Sequence, residues 1–534
     1  MELTALKIYD TTLRDGAQRE GISFSVSDKI KITQKLDQLG ISYVEGGWPG
    51  SNPKDMEYFQ RIQEIPLINV KVTAFGSTRR PDIDVTFDPN IEQLLAAGTQ
   101  VITIFGKSWD FQVTNILGAT LKENLNMITD TIGYLKSKKK EVIYDAEHFF
   151  DGYKNNPQYA LSTLEAAQEA GADTIVLCDT NGGILPLELM EIITEVKMKI
   201  QAPLGMHAHN DSGMAAANSI IAAQMGLRHI QGTFNGYGER CGNANLCTII
   251  PNLELKLNID CIGEGQLKSL TGASRYVSEI ANLSHQGSQP FVGNNAFAHK
   301  AGVHVSAVSK YGKAYEHIDP NRVGNQRRIL VSELSGKSNV LYKVRENNFT
   351  LEKDHPEIKK ILELIKRLEY QGYQFEGAEG SFELLIWKAM NSYRNLFELE
   401  GFRVIVEKRK DSPLISEATI KVKVDEHRVH TASEGNGPVN ALDNALRKAL
   451  EEIYPEINKI KLEDYKVRVL DGQDGTGSKV RVLIESSDDK KRWGTVGVSP
   501  NIIEASWLAL VDSIEYGLLR EEIKAQEVLK ELNK

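Results

Sequence analysis

Cysteine is scarce in this chain, whose 534 residues include only Cys178, Cys241, Cys247 and Cys261. None of them stands in CxxC spacing. So few cysteines in so long a chain exclude both a disulfide framework and a structural zinc knot. The scarcity is typical of a protein in a reducing compartment, so we expect a cytoplasmic location.

Long apolar runs, a basic leader and an excess of positive charge are also missing. No apolar stretch approaches the roughly 20 residues of a membrane span, and the N-terminus begins with a strand-like segment. We therefore expect a soluble, unprocessed chain with no membrane partner. Sixty-three basic against 72 acidic residues give a formal net charge of -9. This balance argues against nucleic acid as a partner.

The first half of the chain alternates between short β-rich runs and longer segments of helical periodicity. The predicted strands are residues 6–10, 43–45, 69–74, 100–105, 141–145, 174–178, 204–206 and 229–234. The predicted helices between them are residues 27–40, 91–98, 117–140, 157–171, 186–200 and 212–226. Four of these helices end at glycines suited to left-handed backbone, Gly40, Gly98, Gly171 and Gly226.

Eight strand–helix units over about 250 residues predict an α/β fold, a (β/α)8 TIM barrel. A doubly wound open sheet is the alternative. However, no glycine-rich dinucleotide-binding turn follows the first predicted strand.

Two histidines, His207 and His209, follow the seventh predicted strand with one residue between them. Alternate side chains of an extended segment point the same way, so both can bind one metal ion. In such a barrel the reactive residues come from the C-terminal ends of the strands. Asp15 after strand 1 and Asn243 after strand 8 can therefore meet the histidines. This ligand set suits a divalent metal acting as a Lewis acid.

Each of these residues also has an ordinary structural interpretation. A histidine inside a barrel is more often a structural residue than a ligand, and Asp15 could cap a helix or a turn. The glycines Gly236, Gly238 and Gly242 could simply form a loop. The joint occurrence of the polar residues at one rim of one barrel favours the metal site.

Five motifs carry a resemblance to a known family. They are YDTTLRDGAQREG at residues 9–21, EGGWPGSNPKD at 45–55, DTNGG at 179–183, HAHND at 207–211 and NGYGERCGNAN at 235–245. Together they resemble the metal-dependent TIM-barrel acyltransferases, which include 2-isopropylmalate, homocitrate and citramalate synthases, with hydroxymethylglutaryl-CoA lyase as a relative. The resemblance covers essentially the whole chain. GISFS and GGWPGSNPKD look most like the bacterial and archaeal citramalate synthases.

The resemblance implies a metal site and leaves the metal open among Mg, Mn and Zn. Its implied ligands are Asp15, His207, His209 and Asn243.

The resemblance also implies roles for residues around the metal. Arg14 would stabilise the alkoxide that develops from the substrate carbonyl. Gln18 and Thr180 would bind the substrate together with Arg14, and Thr180 matches the position that hydrogen-bonds the keto acid carboxylate. Glu147 matches a carboxylate that orients acetyl-CoA or assists proton removal.

A segment after the barrel resembles the family's linker, whose histidine reaches the active site of the neighbouring subunit. His304 matches this base and Tyr315 its accompanying tyrosine, and a homodimer follows from that assignment. His299 is the competing match for the base. A packed linker without a catalytic role is the alternative for both His304 and Tyr315.

The implied reaction condenses pyruvate with acetyl-CoA, and water then hydrolyses the thioester to release CoA. The runner-up is a 2-isopropylmalate synthase, which acts on 2-oxoisovalerate. Bulky residues near strand ends could narrow the pocket towards pyruvate, or could pack in the core: Trp48, Phe75, Phe105 and Tyr144. The remaining alternatives are a lyase, the transcarboxylase unit of a biotin enzyme and a non-enzymatic binding protein.

Beyond the barrel (residues 1–262) we expect partly helical linker subdomains over 263–390, with a helix at 351–371. A regulatory domain is expected over 391–534, because a β-β-β-α pattern occurs there twice. The predicted strands are 401–408, 416–424, 427–432, 465–471, 478–486 and 492–498, and the predicted helices are 438–454 and 501–519.

Two small-residue loops in this region, 431–438 and 495–501, precede helices and could hold a ligand carboxylate or simply cap the helices. The resemblance implies an allosteric, dimerising domain that binds an end-product amino acid, here isoleucine. Residues 471–477 are interpreted as a loop and not as a nucleotide site.

Overall fold

The computed structural model describes residues 6–330, 341–342, 355–375, 377–390, 393–408, 410, 413–470, 477–489 and 491–532, without the side chains of 521–532. The chain divides into two compact units. One comprises Met1–Phe297 and Ile318–Arg327, and the other comprises Ala298–His317 and Arg328–Lys534.

The first unit is built on a closed barrel of eight strands in sequential order. The strands are β1 Lys7–Asp10, β2 Tyr43–Gly47, β3 Lys71–Ser77, β4 Val101–Lys107, β5 Glu141–Glu147, β6 Thr174–Asp179, β7 Leu204–Ala208 and β8 His229–Gly232. Parallel pairing of β1 with β8 closes the ring and sets Asp10 opposite Gly232. The predicted (β/α)8 barrel is confirmed, and the closed ring excludes the open-sheet alternative.

Helices surround the barrel. They are α1 Val26–Gln38, α2 Pro53–Ile62, α3 Pro89–Ala96, α4 Leu121–Ser137, α5 Phe149–Asn155, α6 Pro157–Glu169, α7 Pro186–Lys199, α8 Ala215–Gln224, α9 Leu246–Lys256 and α10 Leu270–Ile280. Four of these helices, α2, the short α5, α9 and α10, were not predicted from the sequence. Yet α2 carries a clear start signal, because the Asn52 side chain caps it and Pro53 occupies its first turn.

Gly40 shows why glycine ends a helix here. Its φ of +86° lies in the left-handed region, as predicted from the sequence. A Cβ atom at this position would lie 2.0 Å from the Ile262 carbonyl oxygen. Both the backbone conformation and the close approach therefore require glycine.

Side chains alternate between the inside of the barrel and the layer of helices around it. Tyr9, Tyr43, Val101, Ile143, Val176 and Cys178 form a separate buried cluster, each contributed by a barrel strand. Neighbouring strand residues such as Tyr144 and Met206 join the larger core that includes the helices. Tyr144 therefore packs against the helical layer, and the suggestion that it narrows the substrate pocket is wrong.

A buried ion pair joins α1 to the start of α2. The Lys29 ammonium donates to the Asp55 carboxylate and, at 2.9 Å, to the Gly46 carbonyl oxygen. Lys29 is only 3% exposed. An ammonium left there without its carboxylate would be strongly destabilising.

We expect Asp55→Ala to lower the free energy of unfolding of the first unit by about 3–5 kcal/mol, because Lys29 would keep a buried, unpaired charge. Urea denaturation followed by circular dichroism measures the change. The matched control is Glu57→Ala, which removes the solvent-exposed pair between Arg61 and Glu57. Glu57→Ala should lower the free energy of unfolding by at most about 1 kcal/mol. An equal decrease in the two variants would contradict the prediction.

The second unit begins with a short parallel pair, β9 Ala298–His299 and β10 Arg328–Ile329. The helices in the described part of this unit are α11 Gly302–Val308, α12 Pro356–Tyr370, α13 Glu379–Ala389, α14 Pro438–Leu450 and α15 Ile502–Leu532. The predicted helix at 351–371 corresponds to α12, and residues 351–354 lie outside the described part of the chain.

Two antiparallel three-stranded sheets follow. The first contains β11 Glu398–Glu407, β12 Ile415–Val424 and β13 His427–Gly435, and the second contains β14 Lys461–Val469, β15 Val480–Ser487 and β16 Arg492–Ser499. Each sheet leads into a helix, α14 or α15, so the predicted β-β-β-α duplication is confirmed. The loop predicted at 471–477 lies outside the described residues except for Gly477.

No helix in the described part of the chain is both long enough and apolar enough to cross a membrane.

Candidate metal centre and active site

Asp15, His207 and His209 meet at the C-terminal end of the barrel strands. Asp15 stands five residues after the last residue of β1, His207 lies in β7, and His209 directly follows that strand. The Asp15 Oδ2 atom is 3.6 Å from His207 Nε2 and 3.8 Å from His209 Nε2. One potential ligand atom from each residue lies within 4.8 Å of the others. All three residues are buried, so the geometry brings the predicted carboxylate and imidazoles together.

Unpaired oxygen atoms indicate what this cluster can hold. Asp15 Oδ1 and Asn243 Oδ1 are buried and have no hydrogen-bond partner among the described residues. The Asn243 amide nitrogen donates to the Tyr237 carbonyl oxygen at 3.1 Å, and Asn243 pairs through its backbone with His209. Buried acceptors are normally satisfied, so two lone oxygens beside two imidazoles fit a divalent cation.

The protonation states of the cluster suit a metal. Burial lowers the pKa of His207 and, together with the neighbouring His207 ring, lowers the pKa of His209 to about 4. Burial opposes ionisation of Asp15, but the charge of Arg14 and the histidines lower its pKa to about 2. At neutral pH the site therefore offers one carboxylate and two neutral imidazoles, which metal binding requires.

Glu45, the third residue of β2, is a central residue of the site that was not predicted from the sequence. The Arg14 Nε–H and the Tyr9 hydroxyl both donate to its carboxylate, and the Thr11 hydroxyl donates at 2.6 Å. Glu45 is fully buried. The available signal was a carboxylate within a buried strand, and this carboxylate is the first residue of the motif EGGWPGSNPKD. Because Arg14 also lies 3.2 Å from Asp15, Glu45 anchors the guanidinium beside the metal cluster.

An aromatic wall, formed by Trp48, Phe75 and Phe105, adjoins Arg14. The guanidinium carbon lies 3.8 Å from the centre of the Phe75 ring, which stacks on Phe105 at 5.4 Å. Trp48 packs edge-on against both phenylalanines, and its indole N–H donates to Asn90 Oδ1 at 2.8 Å. Trp48, Phe75 and Phe105 are three of the four bulky residues that, from the sequence, could narrow the pocket or pack in the core.

The other residues proposed from the sequence lie on the loops of the same rim. Thr180 directly follows β6 and accepts a 2.8 Å hydrogen bond from the His148 backbone N–H through its hydroxyl. Glu147, the last residue of β5, forms an ion pair with Lys107, the last residue of β4. Gln18 is exposed at the end of the short helical turn Gly16–Gln18.

Arg240 connects the loops that follow β6, β7 and β8. Arg240 donates to both oxygens of Asp211, at 2.8 and 2.9 Å, and to the Thr180 carbonyl oxygen at 2.8 Å. Gly242 allows the loop from Gly236 to Asn243 to turn tightly. Its φ is +88°, and a Cβ atom there would lie 2.0 Å from the Gly236 carbonyl oxygen. The loop thus holds Asn243 in place next to the histidines.

His304 and Tyr315 belong to the second unit and form a pair of their own. Both are exposed, and their rings stack with centroids 4.1 Å apart. The competing residue, His299, is buried, and its Nε2 lies 3.0 Å from the Glu316 carboxylate. The two histidines thus differ in their surroundings, since His304 is exposed and stacked on Tyr315 whereas His299 is buried beside Glu316.

Family models match three stretches of the chain. An HMGL-like model matches residues 5–276, a homocitrate synthase post-HMGL domain-like model matches 291–372, and the LeuA allosteric (dimerisation) domain matches 376–518.

Curated relatives match along nearly the full length. An (R)-citramalate synthase of Geobacter sulfurreducens is 58% identical, covering 97% of this chain and 99% of the relative. The chain belongs to the (R)-citramalate synthase family. A second member, from Aquifex aeolicus, is 56% identical, with 96% and 98% coverage. A 2-isopropylmalate synthase of Methanocaldococcus jannaschii is 30% identical, with 96% and 95% coverage. Membership of the (R)-citramalate synthase family makes the chain an enzyme, which excludes the non-enzymatic binding protein.

Proposed function

We propose that this chain is an acyltransferase that condenses pyruvate with acetyl-CoA and hydrolyses the thioester to (R)-citramalate and CoA. The near full-length identity to (R)-citramalate synthases carries the proposal, because it spans the barrel and both later segments. The buried cluster of Asp15, His207 and His209 supports it with a site suited to a keto acid.

Asp15, His207, His209 and Asn243 would hold a divalent cation, Mg, Mn or Zn. When bound, such a cation supplies a Lewis acid that makes the carbonyl carbon of the keto acid electrophilic. These four residues are buried, and charge interactions among buried groups are stronger than in water.

Arg14 has the role of stabilising the negative charge that develops on the carbonyl oxygen. Its ion pair with Glu45 and its stacking on Phe75 hold the guanidinium in one place, so no reorganisation is needed as the charge appears. Gln18 and Thr180 are proposed to bind the keto acid with Arg14. The Thr180 hydroxyl accepts from His148 N–H, so its rotatable hydrogen is available to donate to a carboxylate.

A base must remove a proton from the methyl group of acetyl-CoA. We assign this role to His304 with Tyr315 as its partner, acting in the active site of a second subunit, so the enzyme would be a homodimer. The stacked, exposed pair supports His304 over His299. Glu147 is proposed to orient acetyl-CoA or to assist the proton transfer, and its ion pair with Lys107 fixes the carboxylate at the rim.

The substrate preference is expected to be pyruvate over 2-oxoisovalerate. The aromatic wall supports a small pocket, since its three rings pack on one another beside Arg14. A hydrophobic pocket discriminates by about 1–3 kcal/mol per methylene group, or about 10- to 200-fold.

We expect purified enzyme with acetyl-CoA to release free CoA with a higher kcat/KM for pyruvate than for 2-oxoisovalerate. The measurement is a thiol-reagent assay with each keto acid, and mass spectrometry of the product identifies citramalate. Omitting the keto acid controls for simple thioesterase activity. A higher kcat/KM with 2-oxoisovalerate would make the chain a 2-isopropylmalate synthase. Acceptance of neither keto acid would contradict both assignments.

The second unit has a proposed regulatory role. We assign residues 1–262 to catalysis, 263–390 to linker subdomains and 391–534 to an allosteric and dimerising domain that binds isoleucine, the end product of this route. The match of residues 376–518 to the LeuA allosteric (dimerisation) domain supports this assignment. A cytoplasmic role in threonine-independent isoleucine biosynthesis completes the proposal.

A further inference from the structure

The ring of His207 has a defined partner on the side that faces away from Asp15. His207 Nδ1 lies 2.9 Å from Gln231 Oε1, while Nε2 faces the Asp15 carboxylate. Gln231 belongs to β8 and is fully buried inside the barrel. An imidazole binds a metal through a nitrogen without hydrogen, so the proton must lie on the other nitrogen.

The orientation of the Gln231 amide follows from its other contacts. Its Nε2 donates to Asp145 Oδ1 at 2.9 Å and lies 3.5 Å from His229 Nε2. The His229 nitrogen can accept from the same amide group when the imidazole hydrogen lies on Nδ1. The amide NH₂ group therefore faces Asp145, and the Gln231 oxygen faces His207.

An amide oxygen can only accept a hydrogen bond. His207 Nδ1 must then carry the proton and donate it to Gln231, which leaves the Nε2 lone pair directed at Asp15. We propose that Gln231 is a positioning residue, which with Asp145 and His229 holds His207 in the Nδ1–H tautomer and so sets the metal affinity of the site. The inference rests on the metal site of the proposed function and goes beyond it to a residue that touches neither metal nor substrate.

The tautomer can be observed without metal or turnover. In metal-free enzyme labelled with ¹⁵N-histidine, the nitrogen chemical shifts of His207 should report Nδ1–H, and His207→Gln assigns the signal. Gln231→Met, which keeps the volume but removes the acceptor, should lose this preference. A wild-type His207 found as the Nε2–H tautomer overturns the inference even if no variant folds.

Metal affinity is the second readout. With competition against a chromogenic chelator, Gln231→Met should weaken Zn²⁺ or Mn²⁺ binding by about 10- to 100-fold. Gln231→Glu keeps an oxygen beside Nδ1 and should retain the tautomer and most of the affinity. The control for loss of a buried polar group is Thr163→Val. The Thr163 hydroxyl, on α6, bonds the Ser108 hydroxyl and the Ala160 carbonyl oxygen and is not one of the metal-cluster residues. The metal affinity of this variant should stay unchanged.

The outcomes separate this inference from the proposed function. If the wild type makes citramalate but Gln231→Met keeps the Nδ1–H tautomer and the wild-type metal affinity, the inference is wrong and the function stands. If Gln231→Met loses both tautomer and affinity while the wild type does not turn over pyruvate, the function is wrong and the inference stands.

Discussion

Asp15→Asn is expected to lower kcat by about 1,000-fold or more, because a bound cation contributes several kcal/mol to such a reaction. The substitution keeps the size of the side chain and removes the anion that pairs with the two imidazoles. The buried cluster would then combine two neutral histidines with two amides, a set with little affinity for a hard cation. Metal content measured by mass spectrometry should fall together with the rate of CoA release.

A matched control tests whether the effect is local. Asp28→Asn changes an aspartate in the first turn of α1, where it pairs with the helix cap Ser25. Metal content and turnover should stay at wild-type values in this variant. An Asp15→Asn enzyme that keeps both metal and rate would show that Asp15 is a structural cap, the alternative considered from the sequence.

Arg14→Lys is expected to reduce kcat by about 100- to 1,000-fold, comparable to loss of a donor that stabilises a developing oxyanion. Lysine keeps the positive charge but lacks the planar fork that reaches Glu45 and Asp15 together and stacks on Phe75. Because the negative charge develops only during the reaction, kcat should fall more than the KM for the keto acid rises.

The metal content separates this effect from that of Asp15→Asn. Arg14→Lys should bind the cation at wild-type stoichiometry, since the ligands remain. Arg61→Lys on the exposed surface of α2 is the control for a generic arginine exchange and should not change kcat. An Arg14→Lys enzyme with unchanged kcat would remove Arg14 from the reaction.

The metal cluster could be predicted from the sequence because its signals are local. The spacing of His207 and His209 follows from the strand period of two, and Asp15 follows the first strand of a barrel whose closure brings β1 beside β8. The βα alternation that predicts the barrel depends only on residues near one another in the chain. The ends of the strands were predicted less accurately than their existence. Strand β7, for example, extends two residues past its predicted end and includes His207.

The partners inside the barrel could not be predicted in the same way. Glu45 and Gln231 contact Arg14 and His207 from a neighbouring strand, so these contacts depend on strand register and on which face each side chain takes. Nothing in the residues adjacent to Gln231 marks it as a partner of a histidine 24 positions earlier. His299 and His304 likewise compete in the sequence, and only the structure distinguishes their exposure and partners.

The two contacts of Phe75 affect which substitutions could change the substrate range of this enzyme during evolution. One face of its ring supports the Arg14 guanidinium, and the same ring stacks on Phe105 in the aromatic wall. In the proposed keto acid pocket, a smaller residue at position 75 would widen the space and also remove the ring that supports the guanidinium. A smaller residue at 105 would widen the wall while leaving the Arg14 contact in place. We therefore expect a substitution of Phe105 to admit larger keto acids with less loss of rate than a substitution of Phe75.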